Sequence, residues 1–259
     1  MNLSPNRFVI VCHARTGSSL LGSLLAAHPQ VAWEDERYKA LQQNARRSTW
    51  SNFVHKTAYH FPVVYLNWRA FANHRFAYGC KFMPFFVANF ERAIRSLHIT
   101  GWRFIYLQRR DIMEGAISTS FAAAARHWIT RTNRPAPNIT PMHIDPEDFL
   151  EKLRLRLGFE TLEGRIFAKI PHLKLVYEDD LLDPDCWQGS VRRVFDFLDL
   201  PTAQVKPVVH KTWERPYTEM ITNYTELIEV VRGSDLAYVL QSFKGAGAQP
   251  PQAGSETGV

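Results

Sequence analysis

Phe8-Val9-Ile10-Val11-Cys12-His13-Ala14-Arg15-Thr16-Gly17-Ser18-Ser19-Leu20-Leu21 is the stretch on which the fold turns. Its first five residues form a continuous apolar run rich in β-branched side chains, the pattern of a strand buried on both faces. A polar turn containing Gly17 follows, and Leu20, Leu21, Leu24 and Leu25 then recur on one face at helical spacing. His28-Pro29 closes that helix, because the residue before a proline is pushed out of the α region. The chain therefore opens as strand, loop and helix. The loop sits where a helix N-terminus and its free N–H groups favour an anion.

The same alternation returns downstream. Val31-Ala32-Trp33 and Ala77-Tyr78-Gly79-Cys80-Lys81-Phe82 read as short strands, and Arg103-Phe104-Ile105-Tyr106-Leu107 as a stronger one. A helix over 111 to 128 follows it, with Ile112, Ala116, Ile117, Phe121 and Ala124 as its buried stripe. Residues 38 to 75 are aromatic and basic and show no assignable period, and 130 to 140, with Pro135 and Pro137, reads as a loop or lid. Asp145-Pro146-Glu147-Asp148 places an N-cap, an N1 proline and first-turn acids before a helix reaching about 165. Leu173-Lys174-Leu175-Val176-Tyr177 is the next strand, 186 to 198 a helix, and 217 to 231 and 236 to 243 closing helices. Strands alternating with helices predict an α/β fold: a central, mainly parallel β-sheet flanked by helices, with ligands beyond the carboxyl ends of the strands. Residues 1 to 243 are expected to form one domain, and 244 to 259, rich in Gly, Ala, Pro and Gln without period, a disordered tail.

Composition narrows the function classes. With 259 residues, 46% hydrophobic and 22% charged, and only 13 Gly and 15 Pro, disorder, collagen and a short disulfide scaffold are excluded. Cys12, Cys80 and Cys186 are far apart with no metal-like spacing, which fits a reducing compartment. No apolar stretch approaches the roughly 20 residues that span a bilayer, and Met1 to Arg7 lacks the build of a signal peptide, so a cytoplasmic location is expected. Residues 1 to 139 carry a net charge of +12 and the remainder −6. The first half is built to meet an anion, and charge alone leaves nucleic acid, an anionic membrane and a phosphorylated cofactor open.

Compared with the nucleotide-binding pattern GxxxxGK[ST], Gly17 is the second glycine and Ser19 the hydroxyl residue, but Cys12 replaces the first glycine and Ser18 the lysine. The lysine that would reach the β and γ phosphates is missing, as is a clear downstream strand ending in an aspartate for magnesium. Arg15 instead puts a fixed charge and a planar donor set inside the loop. That suits a phosphosulfate better than a triphosphate.

Arg15-Thr16-Gly17-Ser18-Ser19-Leu20-Leu21 resembles the 5′-phosphosulfate loop of sulfotransferases, particularly the bacterial and carbohydrate-modifying types. The resemblance implies a P-loop-NTPase-like sulfotransferase fold and the cofactor 3′-phosphoadenosine 5′-phosphosulfate (PAPS). In Gln108-Arg109-Arg110-Asp111, Arg110 stands eight residues before Ser118, and this looks like the Arg and Ser that hold the cofactor's 3′-phosphate in that family. Arg109 reads as a solvated surface charge. Tyr78-Gly79-Cys80-Lys81-Phe82-Met83 resembles the strand that brings a lysine toward the sulfuryl group, with Met83 where the hormone and phenol enzymes carry a catalytic histidine. Carbohydrate-type and nodulation-type sulfotransferases place a glutamate after a His-Pro-x-Val stretch like His28-Pro29-Gln30-Val31. By that spacing Glu36 is the better match for the base and Glu34 the reserve, the alternative being a salt-bridged turn with Arg37 and Lys39. His13, which could approach the phosphosulfate or be a satisfied core residue, is weaker as the base, as are His55 and His60. Tyr177-Glu178-Asp179-Asp180 and Phe195-Asp196-Phe197-Leu198 are similar to segments that are mainly structural in the family, with Asp199 here in place of a glycine. Lys211 and Arg215 could contact the 3′-phosphate or the substrate, without a spacing argument.

The expectation is thus a sulfotransferase acting on a hydroxyl acceptor, a carbohydrate or glycolipid. Arg15, Thr16, Gly17, Ser18 and Ser19 would hold the 5′ end of PAPS, and Arg110 and Ser118 its 3′-phosphate. Glu36 would take the proton, Arg15 and Lys81 would stabilise charge, and no metal is required. Two other readings stand beside it. One is a P-loop kinase or NTPase; the other is a basic nucleotide- or nucleic-acid-binding module stacking bases on Trp50, Phe53, Tyr59, Phe61, Tyr65 and Trp68.

Overall fold

In β1 (Asn6–Cys12) the side chains of Phe8 to Cys12 have no exposed surface, so this apolar run is covered on both sides and lies in the middle of the sheet. The computed structural model describes residues 6–35, 49–73, 75–128, 130–131, 140–210 and 215–243. Strands β2 (Val31–Glu34), β3 (Ala77–Phe82), β4 (Arg103–Gln108) and β6 (Leu173–Val176) complete a five-stranded sheet of order β2-β3-β1-β4-β6. Every pairing in it is parallel, with Ile10 opposite both Lys81 and Ile105. The chain leaves β1 for β2 on one side and later reaches β4 on the other. The carboxyl end of β1 is therefore a switch point, where open parallel sheets bind ligands.

The two-residue period of β1 divides the core. Phe8, Ile10 and Cys12 pack with Leu21, Leu24 and Leu25 of α1 (Ser18–Ala26) and with Val191, Val194 and Phe195 of α8 (Trp187–Phe197). Val9 and Val11 face the opposite way. They join Leu66 of α3 (Pro62–Phe71), Ile94 and Leu97 of α4 (Phe90–Ile99), and Ala58 of α2 (Thr49–His60). A third cluster, beyond the sheet, joins α5 (Ile112–Ala124), α6 (Pro146–Phe167) and α10 (Tyr224–Arg232) through Ile117, Phe121, Phe149, Leu153 and Leu227. Asp111 caps α5 by accepting from the Glu114 N–H at 2.8 Å, and Asp145 caps α6 by accepting from Glu147 at 2.9 Å. Among the described residues no helix is long and apolar enough to cross a membrane.

Several sequence expectations need correction. Within 38 to 75, residues 49 to 60 and 62 to 71 are helical, and Pro62 starts the second helix where its missing N–H costs nothing. The helix expected to reach 128 stops at Ala124. The single helix expected over 217 to 231 is two, α9 (Tyr217–Met220) and α10, because Ile221 between them bridges to Met142. The closing helix at 236 to 243 is a 3₁₀ turn, Ala237–Ser242. A two-stranded antiparallel ribbon of β5 (Thr130–Arg131) and β7 (Val209–His210) has too few residues to show any period. The expected lid residues 132 to 139 and the tail 244 to 259 lie outside the described residues.

Candidate anion-binding site

The turn between β1 and α1 is held in shape by its own residues. Arg15 and Gly17 both have left-handed backbones, with φ of 62° and 82°. At position 17 only glycine fits, since a Cβ there would come within 2.6 Å of the Tyr177 ring. The Thr16 hydroxyl donates to the His13 carbonyl at 2.9 Å and is buried, so it stiffens the turn from inside. No side chain caps α1 and no acid stands in its first turn. The N–H groups around Ser18 and Ser19 therefore keep their partial positive charge for a ligand.

Cations surround this turn. Lys81, at the end of β3, is 2% exposed, and its Nζ donates to Ser19 Oγ at 3.1 Å and pairs with Asp35 Oδ1 at 2.8 Å. The Arg15 guanidinium is turned across the loop, with Nε donating to Ser118 Oγ at 2.9 Å and Nη1 to the Trp128 carbonyl. Burial lowers its pKa from the usual guanidinium value, with Tyr217 acting in the opposite direction. Arg109 comes off the end of β4 and lies beneath the turn. It donates to the Arg15 carbonyl at 2.9 Å, pairs with Glu114 at 3.0 Å and stacks 4.8 Å over the Tyr177 ring. It is 8% exposed, so the expected solvated surface charge is in fact an internal brace of the loop. The strand direction decides this, since successive residues leaving β4 point opposite ways and Arg109 takes the inward position.

Arg110 takes the outward one. Its guanidinium pairs with Asp179 at the surface and does not touch Ser118, whose hydroxyl is instead engaged by Arg15. The backbone N–H groups of Arg110 and Asp111 donate to Glu178 of α7 (Tyr177–Asp180) at 2.9 and 3.1 Å. The Tyr177-Glu178 segment thus secures the turn after β4, a structural task. Glu34 is bound by Arg69 and accepts from the Tyr78 hydroxyl at 2.9 Å, and burial pushes the Tyr78 pKa up. Glu36 and Lys211 lie outside the described residues, and Arg215 is exposed and paired with Glu219 at 3.2 Å.

Long helix α6 supplies a part of the site that the sequence reading passed over. Arg156, Glu160 and Glu163 occupy positions on the same face as buried Phe149, Leu153 and Phe167, so charges stand where an amphipathic helix carries apolar residues. That break in the stripe is the signal that could have found them. Arg156 pairs with Glu160 at 3.1 Å, and Glu160 is raised in pKa by burial. The absence of a side chain at Gly115 makes room for the Arg156 guanidinium, because a Cβ there would meet Nη1 at 2.5 Å. Glu163 is fully buried and lies 3.1 Å from His13 Nε2. The uncapped N–H groups of the turn and the cations Arg15, Lys81, Arg109 and Arg156 thus gather at the strand ends, and that donor set fits a phosphorylated anion.

Neither a protein-family model nor a curated protein sequence matches the chain. Among solved structures, the crystal structure of a sulfotransferase from Alicyclobacillus acidocaldarius is similar in fold, with a TM-score of 0.54 and 13% identity, covering 92% of this chain and 93% of that one. The likeness is one of fold: an α/β sheet flanked by helices in the P-loop-like arrangement.

Proposed function

We propose that this protein transfers a sulfuryl group from PAPS to a hydroxyl of a carbohydrate or glycolipid acceptor. The observation that carries the reading is the loop at the end of β1, where the helix N-terminus is uncapped and half-buried Arg15 and buried Lys81 supply positive charge, with serine at the position of the nucleotide-binding lysine. When bound, PAPS supplies an activated sulfuryl group. Thr16, Gly17, Ser18 and Ser19 would hold its 5′ end through backbone N–H groups and hydroxyls, and Arg15 through its guanidinium. Ser118 and Arg110 would hold the 3′-phosphate, Arg110 leaving Asp179 to do so. Lys81 and Arg15 would stabilise the charge that develops during transfer, and the burial of Lys81 strengthens its effect, since little water screens it. The three free thiols suit the reducing, cytoplasmic setting expected from the sequence.

The test is thermal stability with 3′-phosphoadenosine 5′-phosphate (PAP), with 5′-AMP, and with ATP and magnesium. A ligand at 100 times its dissociation constant adds about 2.7 kcal/mol, roughly 5 to 10 °C for a domain of this size. Stabilisation by PAP well above that by AMP is expected. Stabilisation only by ATP with magnesium would transfer the assignment to a P-loop kinase, and none by any nucleotide would remove it.

A further inference from the structure

A cleft of about 190 Å³ opens beside the start of the loop. His13 and Ala14 line it from the loop, Phe85 from the turn after β3, Ala116 from α5, and Leu155 and Phe159 from α6. A dry cavity of about 150 Å³ accepts benzene, so this one takes a group about the size of a single six-membered ring, against mainly apolar walls. Its one imidazole is His13, and that ring is not loosely placed.

His13 Nε2 and Glu163 Oε1 lie 3.1 Å apart, yet both atoms are shut off from water and neither has an aligned hydrogen bond. Leaving a buried donor and a buried acceptor unpaired costs about 1–3 kcal/mol each, so a slight turn of the ring makes them partners, Nε2–H donating to the carboxylate. Glu163 is itself anchored, since its other oxygen accepts from the Tyr106 hydroxyl at 3.1 Å, and that hydroxyl accepts from Gln108 at 2.8 Å. With Nε2 carrying the hydrogen of the neutral ring, Nδ1 bears the lone pair. His13 lines the cleft, and with Nε2 turned to Glu163 the ring nitrogen left for a ligand is Nδ1.

We propose that His13, oriented by Glu163, is the group that accepts the proton of the acceptor hydroxyl. The proposal rests on the sulfuryl-transfer reading above and deepens it. As the hydroxyl oxygen bonds to sulfur, the sulfur–oxygen bond to the phosphate breaks, the electron pair leaves with that phosphate, and the proton passes to Nδ1. The buried Glu163 carboxylate stabilises the imidazolium that forms. The ring is also faced by Phe159 at 6.1 Å; Glu160 and Arg156 of α6 and Tyr106 of β4 are charged or titratable groups packed around the pair, and Lys152 of α6 lines the cleft with Arg156. Of the two glutamates expected from the sequence, Glu34 is committed to Arg69 and Tyr78. Glu163 is a positioning residue, and His13 is the catalytic one.

Two measurements test this. Long-range proton–nitrogen NMR of the imidazole at neutral pH should show the Nε2–H tautomer for His13 in the wild type and a mixture in Glu163→Gln, a shape-preserving variant. An Nδ1–H tautomer in the wild type would overturn the proposal without any acceptor being known. In kinetics, PAP released from PAPS is followed with 4-nitrophenol and with simple sugars as acceptors. His13→Gln should lower turnover by about 10²- to 10⁴-fold, with PAP affinity by calorimetry unchanged. If His13→Gln keeps full turnover while Glu36→Gln loses it, the base is Glu36, and sulfuryl transfer still stands. If the wild type binds no PAP, the sulfuryl reading fails and takes this proposal with it.

Discussion

Lys81→Met removes one charge while keeping the length and apolar stem of the side chain, so it separates a functional lysine from a structural one. The ammonium is almost fully buried, and its partner Asp35 has 43% of its side chain exposed. Burying an ammonium costs several kcal/mol, offset here by the ion pair and the bond to Ser19. Once the charge is gone that desolvation cost also disappears, and the half-exposed Asp35 regains water. Folding free energy should therefore change by less than about 1 kcal/mol, because replacing a buried charge with an apolar residue of similar volume is often neutral. Turnover should behave differently. Losing one preorganised charge aimed at a developing anion typically costs about 10²- to 10³-fold in rate, or 2.7 to 4 kcal/mol. PAP, which lacks the sulfuryl group, should keep its affinity within about tenfold. Urea unfolding, calorimetry with PAP and the rate of PAP release from PAPS give the three numbers. A stability loss of about 3 kcal/mol or more with an unaltered rate would refute the reasoning and leave Lys81 as a pin between β3 and the end of β2.

Arg15→Ala should weaken PAP binding by roughly 10- to 150-fold, the equivalent of one charge-assisted contact of about 1.5–3 kcal/mol, and unchanged calorimetric affinity would remove it from the site. Arg110→Ala should also weaken PAP while leaving stability within about 0.5 kcal/mol, since its pair with Asp179 is exposed; equal affinity would show that it never leaves Asp179. The cysteines allow a check that involves no ligand. Burial pushes the Cys12 thiol up to about 11 and raises Cys80 further, whereas Cys186 is exposed. The native protein at pH 8 should thus take one equivalent of iodoacetamide, and three once unfolded, because only the thiolate reacts and the two raised thiols stay protonated below their native pKa values. Rapid labelling of a second thiol in the native protein would contradict the packing of β1 against β3.

The central strands β1 and β4 were legible because each is a run of apolar residues that must be covered on both faces, and a run such as Phe8 to Cys12 satisfies that demand in few ways. Capping at Asp145 was equally legible, since an N-cap joins a side chain to N–H groups two or three residues on. The helices over 49 to 71 were not. Their amphipathic period is weakened by exposed aromatics such as Phe53, Phe61, Trp68 and Phe71, and tertiary packing of a few residues, Ala58 and Leu66 among them, holds them in place. Arg109 and Arg110 illustrate a finer limit. Two adjacent arginines at a strand end point opposite ways, and which one turns inward depends on where Tyr177 and Glu114 sit, 68 and 5 residues further on.

By itself, then, the sequence determined the alternation of strand and helix, the position of the polar loop at the end of the first strand, and its residue types, with arginine and serine where a nucleotide-binding loop carries lysine. These are local matters of backbone sterics, period and side-chain inventory. Only the tertiary structure decided which charges meet: Lys81 with Ser19 and Asp35, Arg15 with Ser118, Glu34 with Arg69, and His13 with Glu163. Those partners are up to 150 residues apart in the chain. A buried charge takes whichever counter-charge the packed core brings within about 3 to 4 Å, and that geometry is written in no single stretch of sequence.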